Sequence, residues 1–221
     1  MQAYIQVDAV SKSFGSHRVL SGLSLSIGQG ESVAITGPSG CGKTTLLNIL
    51  GLLEAPDEGV IRLRGTPYPR IEGRQAVLLR RHEVNYLFQS FALIDDRSVR
   101  ENLMLALHHA KLAPREKDAR IHRGLERVAL VDKLDAPVNV LSGGEKQRVA
   151  MVRAMIKPGG LILADEPTGS LDARMAQIVM HSLVRFAREA GKTLVVVTHD
   201  MRMAAMCDRV LTMEAGRLRC A

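Results

Sequence analysis

The sequence predicts an α/β fold, with a parallel sheet covered on both faces and a helical insertion in the middle of the chain. Three observations carry this. The runs SVAIT (32–36), LILAD (161–165) and TLVVVT (193–198) are almost continuously apolar or β-branched, as strands buried on both faces are. Strand-like and helical patterns alternate early and late in the chain, the arrangement that joins parallel strands through crossovers. Residues 90 to 158 are almost all helical in pattern.

Taken in order, YIQVDAV (4–10) and LSLSI (23–27) alternate as strands do, and SVAIT follows. A helix is expected at TTLLNILGLL (44–53), then strands at VIRLRG (60–65) and VNYLF (84–88). Helical periodicity returns at SVRENLMLALHH (98–109) and PREKDARIHRGLERVAL (114–130), where Pro114 suits a first-turn position. Ser142 with Glu145 three residues on is a capping box, so a helix starts in LSGGEKQR (141–148). After LILAD, the run 172–190 puts Met175, Val179, Leu183 and Phe186 on one face and stops at Gly191, a good C-cap. TLVVVT and a short VLTM (210–213) before a glycine turn close the pattern.

Composition bounds the class. The 221 residues suffice for one substantial core, and 46% hydrophobic with 24% charged content is globular. Tryptophan is absent and aromatics make up only 3%, so the core must be aliphatic. Cys41, Cys207 and Cys220 are an odd number without framework spacing, which points to a reducing compartment and to neither a disulfide scaffold nor a zinc site. No window approaches 18 apolar residues and the N-terminus lacks a signal-peptide core, so a soluble, cytoplasmic protein is expected. The net charge of +7 favours anionic partners. The basic residues are scattered, and helical spacing such as Glu116 to Arg120 pairs some of them. With so few aromatics to stack on bases, no nucleic acid is expected.

The strongest motif is GPSGCGKT (37–44), a G-x-x-x-x-G-K-S/T loop between a strand and a helix. Gly37, Gly40 and Gly42 let the backbone curl so that successive N–H groups face one concavity, and the helix dipole adds positive potential. Lys43 supplies a point charge for β- and γ-phosphates, and the Thr44 hydroxyl suits Mg²⁺. Asp165 ends a buried strand, where it can hold the metal; Glu166, one residue on, can polarise an attacking water. His199 repeats that placement after TLVVVT, and Gln89 follows VNYLF. Phe14, near the N-terminus, is either core or a stacking ring.

LSGGE is a second anion site with an oddity. A capping box needs no glycines, yet Gly143 and Gly144 follow Ser142 directly. Bare glycine amides at a helix start admit an outside anion, but no lysine cradle surrounds them, so the stretch works best as half of a site.

GPSGCGKT, Gln89, LSGGE, LILADE, GSLD (169–172) and His199, in this order and spacing over nearly the whole chain, resemble the ABC-type ATPase family. The resemblance implies a P-loop NTPase, RecA-like core with an N-terminal antiparallel β-subdomain (1–89 and 159–221) and an inserted α-helical subdomain (90–158), together one ABC domain. It implies ATP and Mg²⁺ as ligands. Phe14, the loop Gly37, Pro38, Ser39, Gly40, Cys41, Gly42, Lys43, Thr44 and Thr45, and Gln89 would hold the nucleotide. Thr44, Gln89 and Asp165 would surround the metal, with Glu166 as general base and His199 on the γ-phosphate. Ser142, Gly143, Gly144 and Asp172 would act in trans, in a head-to-tail dimer with a second ABC ATPase subunit. The segment Phe91 to Arg97 would meet a transmembrane permease at the cytoplasmic face of the membrane. ADEPTGSLD resembles the branch of macrolide-exporter, lipoprotein-release and cell-division ATPases, and YLFQSFALIDDRSVRENL the lactococcin-972-type bacteriocin export subgroup. A transport motor is the expected function. A non-transporting regulator of a membrane protein, or a soluble ATPase acting on nucleic acid or cluster assembly, stands as the alternative.

Overall fold

The computed structural model describes residues 3–169 and 171–220, apart from the Cys220 side chain. Two sheets organise the chain. One is antiparallel, in the order β2 (His17–Gly28), β1 (Ala3–Phe14), β4 (Glu58–Leu63), β5 (Thr66–Pro67). The other runs β10 (Arg217–Cys220), β9 (Arg209–Glu214), β3 (Ser32–Thr36), β8 (Thr193–Val197), β7 (Leu161–Asp165), β6 (Val84–Leu87). Its strands β9 to β6 are parallel, and β10 lies antiparallel on the edge.

The doubly covered sheet is real, and alternation along each strand explains it. Leu161 and Leu163 of β7, with Val195 and Val197 of β8, face the antiparallel sheet and α1 (Lys43–Leu50). Ile162 and Ala164, with Leu194 and Val196, face the other way, into a core with α5 (Gly143–Ile156) and α6 (Ala173–Glu189). All eight are essentially inaccessible to water, and burial of each large aliphatic stabilises by about 1.5–3 kcal/mol relative to exposure. Tyr4 is the only aromatic among the buried core residues described, as the composition requires.

Three expectations need correction. The interval 90–158 is not almost all helical: α3 (Val99–Ala106), α4 (Pro114–Glu126) and α5 are joined by irregular stretches and two single 3₁₀ turns, at Val131–Lys133 and Val138–Val140. A helix unforeseen in the sequence, α2 (Arg74–His82), precedes β6, and β10 follows the strand expected to be last. Only Ala76 of α2 is buried, so it has no apolar stripe to reveal it. Glu116 does not pair with Arg120: it turns back to accept from the Ala113 amide at 2.7 Å, capping α4. Pro114 does open α4, and Gly191 takes the left-handed conformation expected after α6. Among the described residues no helix is long and apolar enough to cross a membrane.

Candidate active site

The carboxyl ends of β3, β6, β7 and β8 lie side by side, so the loops that leave them share one edge of the sheet. In open α/β sheets that edge is where ligands bind. The glycine loop leaves β3 there. Gly37 has φ 143°, and a Cβ on it would collide with the Met213 carbonyl of β9, so no other residue fits. Gly40 (φ 78°) would point a Cβ into open space, on the exposed side of the loop. Gly42 (φ 106°) is the N-cap of α1 and no side chain caps that helix, which leaves its first amides available to an anion. The Lys43 ammonium donates to the Gly37 and Pro38 carbonyls, 2.8 Å each, and lies 3.9 Å from the Cys41 sulfur. Pro38, Ser39 and Thr44 are exposed; Thr45 and Cys41 are half-buried.

Asp165 ends β7 against α1. The Thr44 hydroxyl donates to its Oδ1 at 3.3 Å, across 121 residues of sequence. Burial pushes the Asp165 carboxyl above its ordinary range, and the neighbouring Glu166 adds to this, while Thr44 and Lys43 pull it down. A buried carboxylate and an alcohol, both hard oxygen donors, suit a magnesium ion that keeps other positions for water and phosphate.

Glu166 has φ 45°, in the left-handed region, and its amide donates to Val197 of the neighbouring strand at 2.9 Å. Its Oε1 lies 2.9 Å from Nδ1 of His199, whose side chain is otherwise exposed. The next residue, Pro167, is held from a different element: the buried Gln147 of α5 donates from Nε2 to the Pro167 carbonyl at 2.6 Å. Gln147 was not singled out in the sequence, because a glutamine inside an amphipathic run carries no local signal.

Three of the expected residues make no hydrogen bond to this cluster among the described residues. Gln89 is exposed in the turn after β6. Phe14 is half exposed at the end of β1, with the Lys12 ammonium 5.3 Å from its ring centre. Asp172 caps α6 by accepting from the Met175 amide at 2.9 Å; Ser170, in the same GSLD motif, lies outside the described residues.

The second glycine stretch is the capping box expected. Ser142 accepts from the Glu145 amide at 3.3 Å, and Glu145 accepts from the Ser142 amide at 2.8 Å. Among the described residues a Cβ on Gly143 would meet nothing within 4 Å. No hydrogen bond or ion pair among the described residues joins this stretch to the 37–45 loop: Ser142 bonds only to Glu145 and the Lys146 amide, and α5 packs on α3, α4, α6 and β6 whereas α1 packs on β2, β7 and β8.

Sequence reasoning also missed a cavity of about 370 Å³ between the sheet and the helical region, lined by Gly51, Leu53, Tyr86, Phe88, Leu105 and Arg153 among others. Its walls come from four separate segments, which no single stretch of sequence announces.

Comparison with known proteins agrees with the geometry. The family model "ABC transporter" matches residues 20–169. The chain is 39% identical over 214 residues to the lipoprotein-releasing system ATP-binding protein LolD of Bacteroides fragilis, covering 97% of this chain and 99% of that protein. It is 42% identical over 216 residues to the macrolide export ATP-binding/permease protein MacB 1 of Aeromonas hydrophila, but spans only 33% of that longer protein. Among solved structures it superposes on the dimeric bacterial ABC transporter cassette MJ0796 with TM-score 0.88 and 33% identity, covering 97% of this chain and 96% of that one. A post-hydrolysis state of the same cassette, bound to ADP and Pi, matches equally well at 32% identity. A glycine loop, a buried acid and a strained glutamate meet at one sheet edge, and relatives of matching length share the whole chain; it belongs to the ABC transporter family, as an ATP-hydrolysing subunit.

Proposed function

We propose that two copies of the chain form a head-to-tail dimer that drives a separate membrane permease, for export or mechanical extraction of its substrate. The observation that carries this is the isolation of Gly143. Among the described residues nothing requires a glycine there, since a Cβ would meet none of them within 4 Å, yet glycine at a helix start costs stability. A visitor from outside the chain explains it, and the anion offered by a second copy is the γ-phosphate on that copy's glycine loop.

In this reading the amides of 37–45 and the Lys43 ammonium, released from the Gly37 and Pro38 carbonyls, hold the phosphates, and Phe14 stacks on the base. Thr44, Asp165 and Gln89 surround Mg²⁺, which when bound neutralises phosphate charge; the contact of the Thr44 hydroxyl with the Asp165 carboxyl supports this. Glu166 takes the proton of the attacking water. His199, already beside Glu166, contacts the γ-phosphate and keeps the base oriented. Ser142, Gly143 and Gly144 close on the partner copy's γ-phosphate, with Asp172 at the seam. Residues 1–89 and 159–221 act as the nucleotide-binding body and 90–158 as the signature-bearing unit. The chain sits at the cytoplasmic face of the membrane, where the Phe91–Arg97 segment meets the permease. Exposed Ile94, Asp95, Asp96 and Arg97 support that role, while Phe91 and Leu93 pack inward.

Ser142→Arg tests the reading. A bulky cation at the cap should leave ATP affinity of the monomer within about twofold, yet abolish ATP-dependent dimerisation, measured by light scattering, together with turnover. Retained turnover would reduce LSGGE to a helix cap.

A further inference from the structure

Arg153 lies in the last turn of α5, eleven residues after the cap Ser142, so about 16 Å along one rigid helix. Its guanidinium reaches across to the segment after Gln89. Nη2 donates to the Phe91 carbonyl at 2.7 Å and Nη1 donates to the Ala92 carbonyl. Those two residues are consecutive non-glycines in the left-handed region, φ 62° and 51°. Such a pair persists only where its surroundings over-determine it, and a single fork gripping both carbonyls is that constraint. Among the described residues no carboxylate pairs with Arg153, so these carbonyls are the partners its charge has. A second tie runs from the first turn of α5, where Lys146 meets Asp95 at 3.0 Å. Beyond it, the buried Asn102 of α3 clasps Ile94, accepting from its amide at 2.8 Å and donating to its carbonyl at 3.0 Å. The same α5 grips the Pro167 carbonyl through Gln147, one residue from Glu166.

One helix therefore bears the signature glycines at its start, holds the backbone next to Glu166, and clamps the 91–95 segment through Arg153 and Lys146. We infer that Arg153 is a positioning residue that latches the 91–95 segment to α5, so that seating the signature end of α5 on a partner's nucleotide moves that segment with it. This rests on the head-to-tail reading of LSGGE. The alternative is a merely structural arginine that fills the subdomain junction.

Amide hydrogen exchange on the full chain separates these. In a Glu166→Gln background, Mg·ATP should slow exchange at residues 91–97. Adding Arg153→Gln should speed exchange of those amides without nucleotide by about tenfold or more, as loss of a charge-assisted pair predicts. It should also erase their response to ATP, while ATP affinity and the ATP-dependent dimer stay within about twofold. Arg153→Lys, which keeps one donor, should fall between. Exchange in β3, β7 and β8 reports folding; if Arg153→Gln does not fold, Lys146→Met replaces it, with an expected acceleration of about threefold. Unchanged exchange at 91–97 overturns the latch, and faster exchange with the ATP response intact overturns the transmission. If the parent chain fails to dimerise with ATP, the head-to-tail reading falls, while the comparison without nucleotide still decides whether Arg153 latches.

Discussion

Glu166 holds a backbone conformation that costs a residue with a Cβ about 1–2 kcal/mol. Its carboxylate meets His199 while the Asp165 carboxyl meets Thr44, so two adjacent acids have different partners. Glu166→Gln keeps the size and the contact with His199 but cannot accept a proton. Its turnover should fall about 10²-fold or more, with an ATP-bound dimer accumulating in light scattering; near-normal turnover would remove Glu166 from the base role. Cys41 gives a second test at this scale. Burial pushes the Cys207 thiol up to about 12, which keeps it inert, whereas the half-buried Cys41 lies in the loop beside Lys43. Alkylation confirmed at Cys41 by peptide mapping should block nucleotide binding by filling the loop, and unchanged ATP affinity of the modified chain would refute that.

At the scale of the element, α5 is fastened at both ends. Its start is the capping box, worth about 1 kcal/mol. At its finish Lys192 donates to the Lys157 carbonyl at 2.8 Å and to the Met155 carbonyl at 3.4 Å, and Lys157 itself donates to the Arg80 and Val84 carbonyls. Cations suit a helix C-terminus, yet burial, helped by nearby Arg120 and Lys157, lowers Lys192 to about 8. The folded value is thus below the unfolded one, so between about pH 8 and 10.5 the unfolded chain binds the extra proton and stability from this residue rises with pH. Lys192→Met should lower the melting temperature by several degrees at pH 7 through the orphaned carbonyls. The gap between wild type and variant should widen from pH 8 to pH 10 in thermal melts. A gap that narrows would mean that the ammonium form is the one the fold favours.

At the scale of the whole molecule, the proposed active site is split between copies, and that makes a sharp mixing experiment. Lys43→Ala spoils the glycine loop and Ser142→Arg spoils the signature, so each homodimer should be inactive. A mixed dimer places both lesions in one composite site and leaves the other intact. Mixing the two variants should therefore restore ATPase activity, to roughly a quarter of wild type at most if subunits exchange at random. No recovery, with mixed dimers verified by mass, would argue for a signature that serves its own chain.

Much of this is legible in the sequence alone. The glycine loop, the capping box, Asp165 and Glu166 at a strand end, and His199 after another are contiguous or one element long, and local geometry follows from local sequence. The buried strands announced themselves because both faces are covered. By contrast, α2 and β10 are short and mostly outside the core, so neither periodicity nor burial marked them. The link between Thr44 and Asp165, the contact of Glu166 with His199, the grip of Arg153 on Phe91 and Ala92, and the emptiness around Gly143 were decided only in three dimensions. Each joins groups tens of residues apart, or is a space that no described residue fills, and such relations depend on how strands order in the sheet and how α5 seats on it. The sequence by itself determined which chemistry this chain carries; the tertiary structure decided which groups meet, because packing of distant elements, unlike a loop or a cap, leaves no mark in any one stretch of sequence.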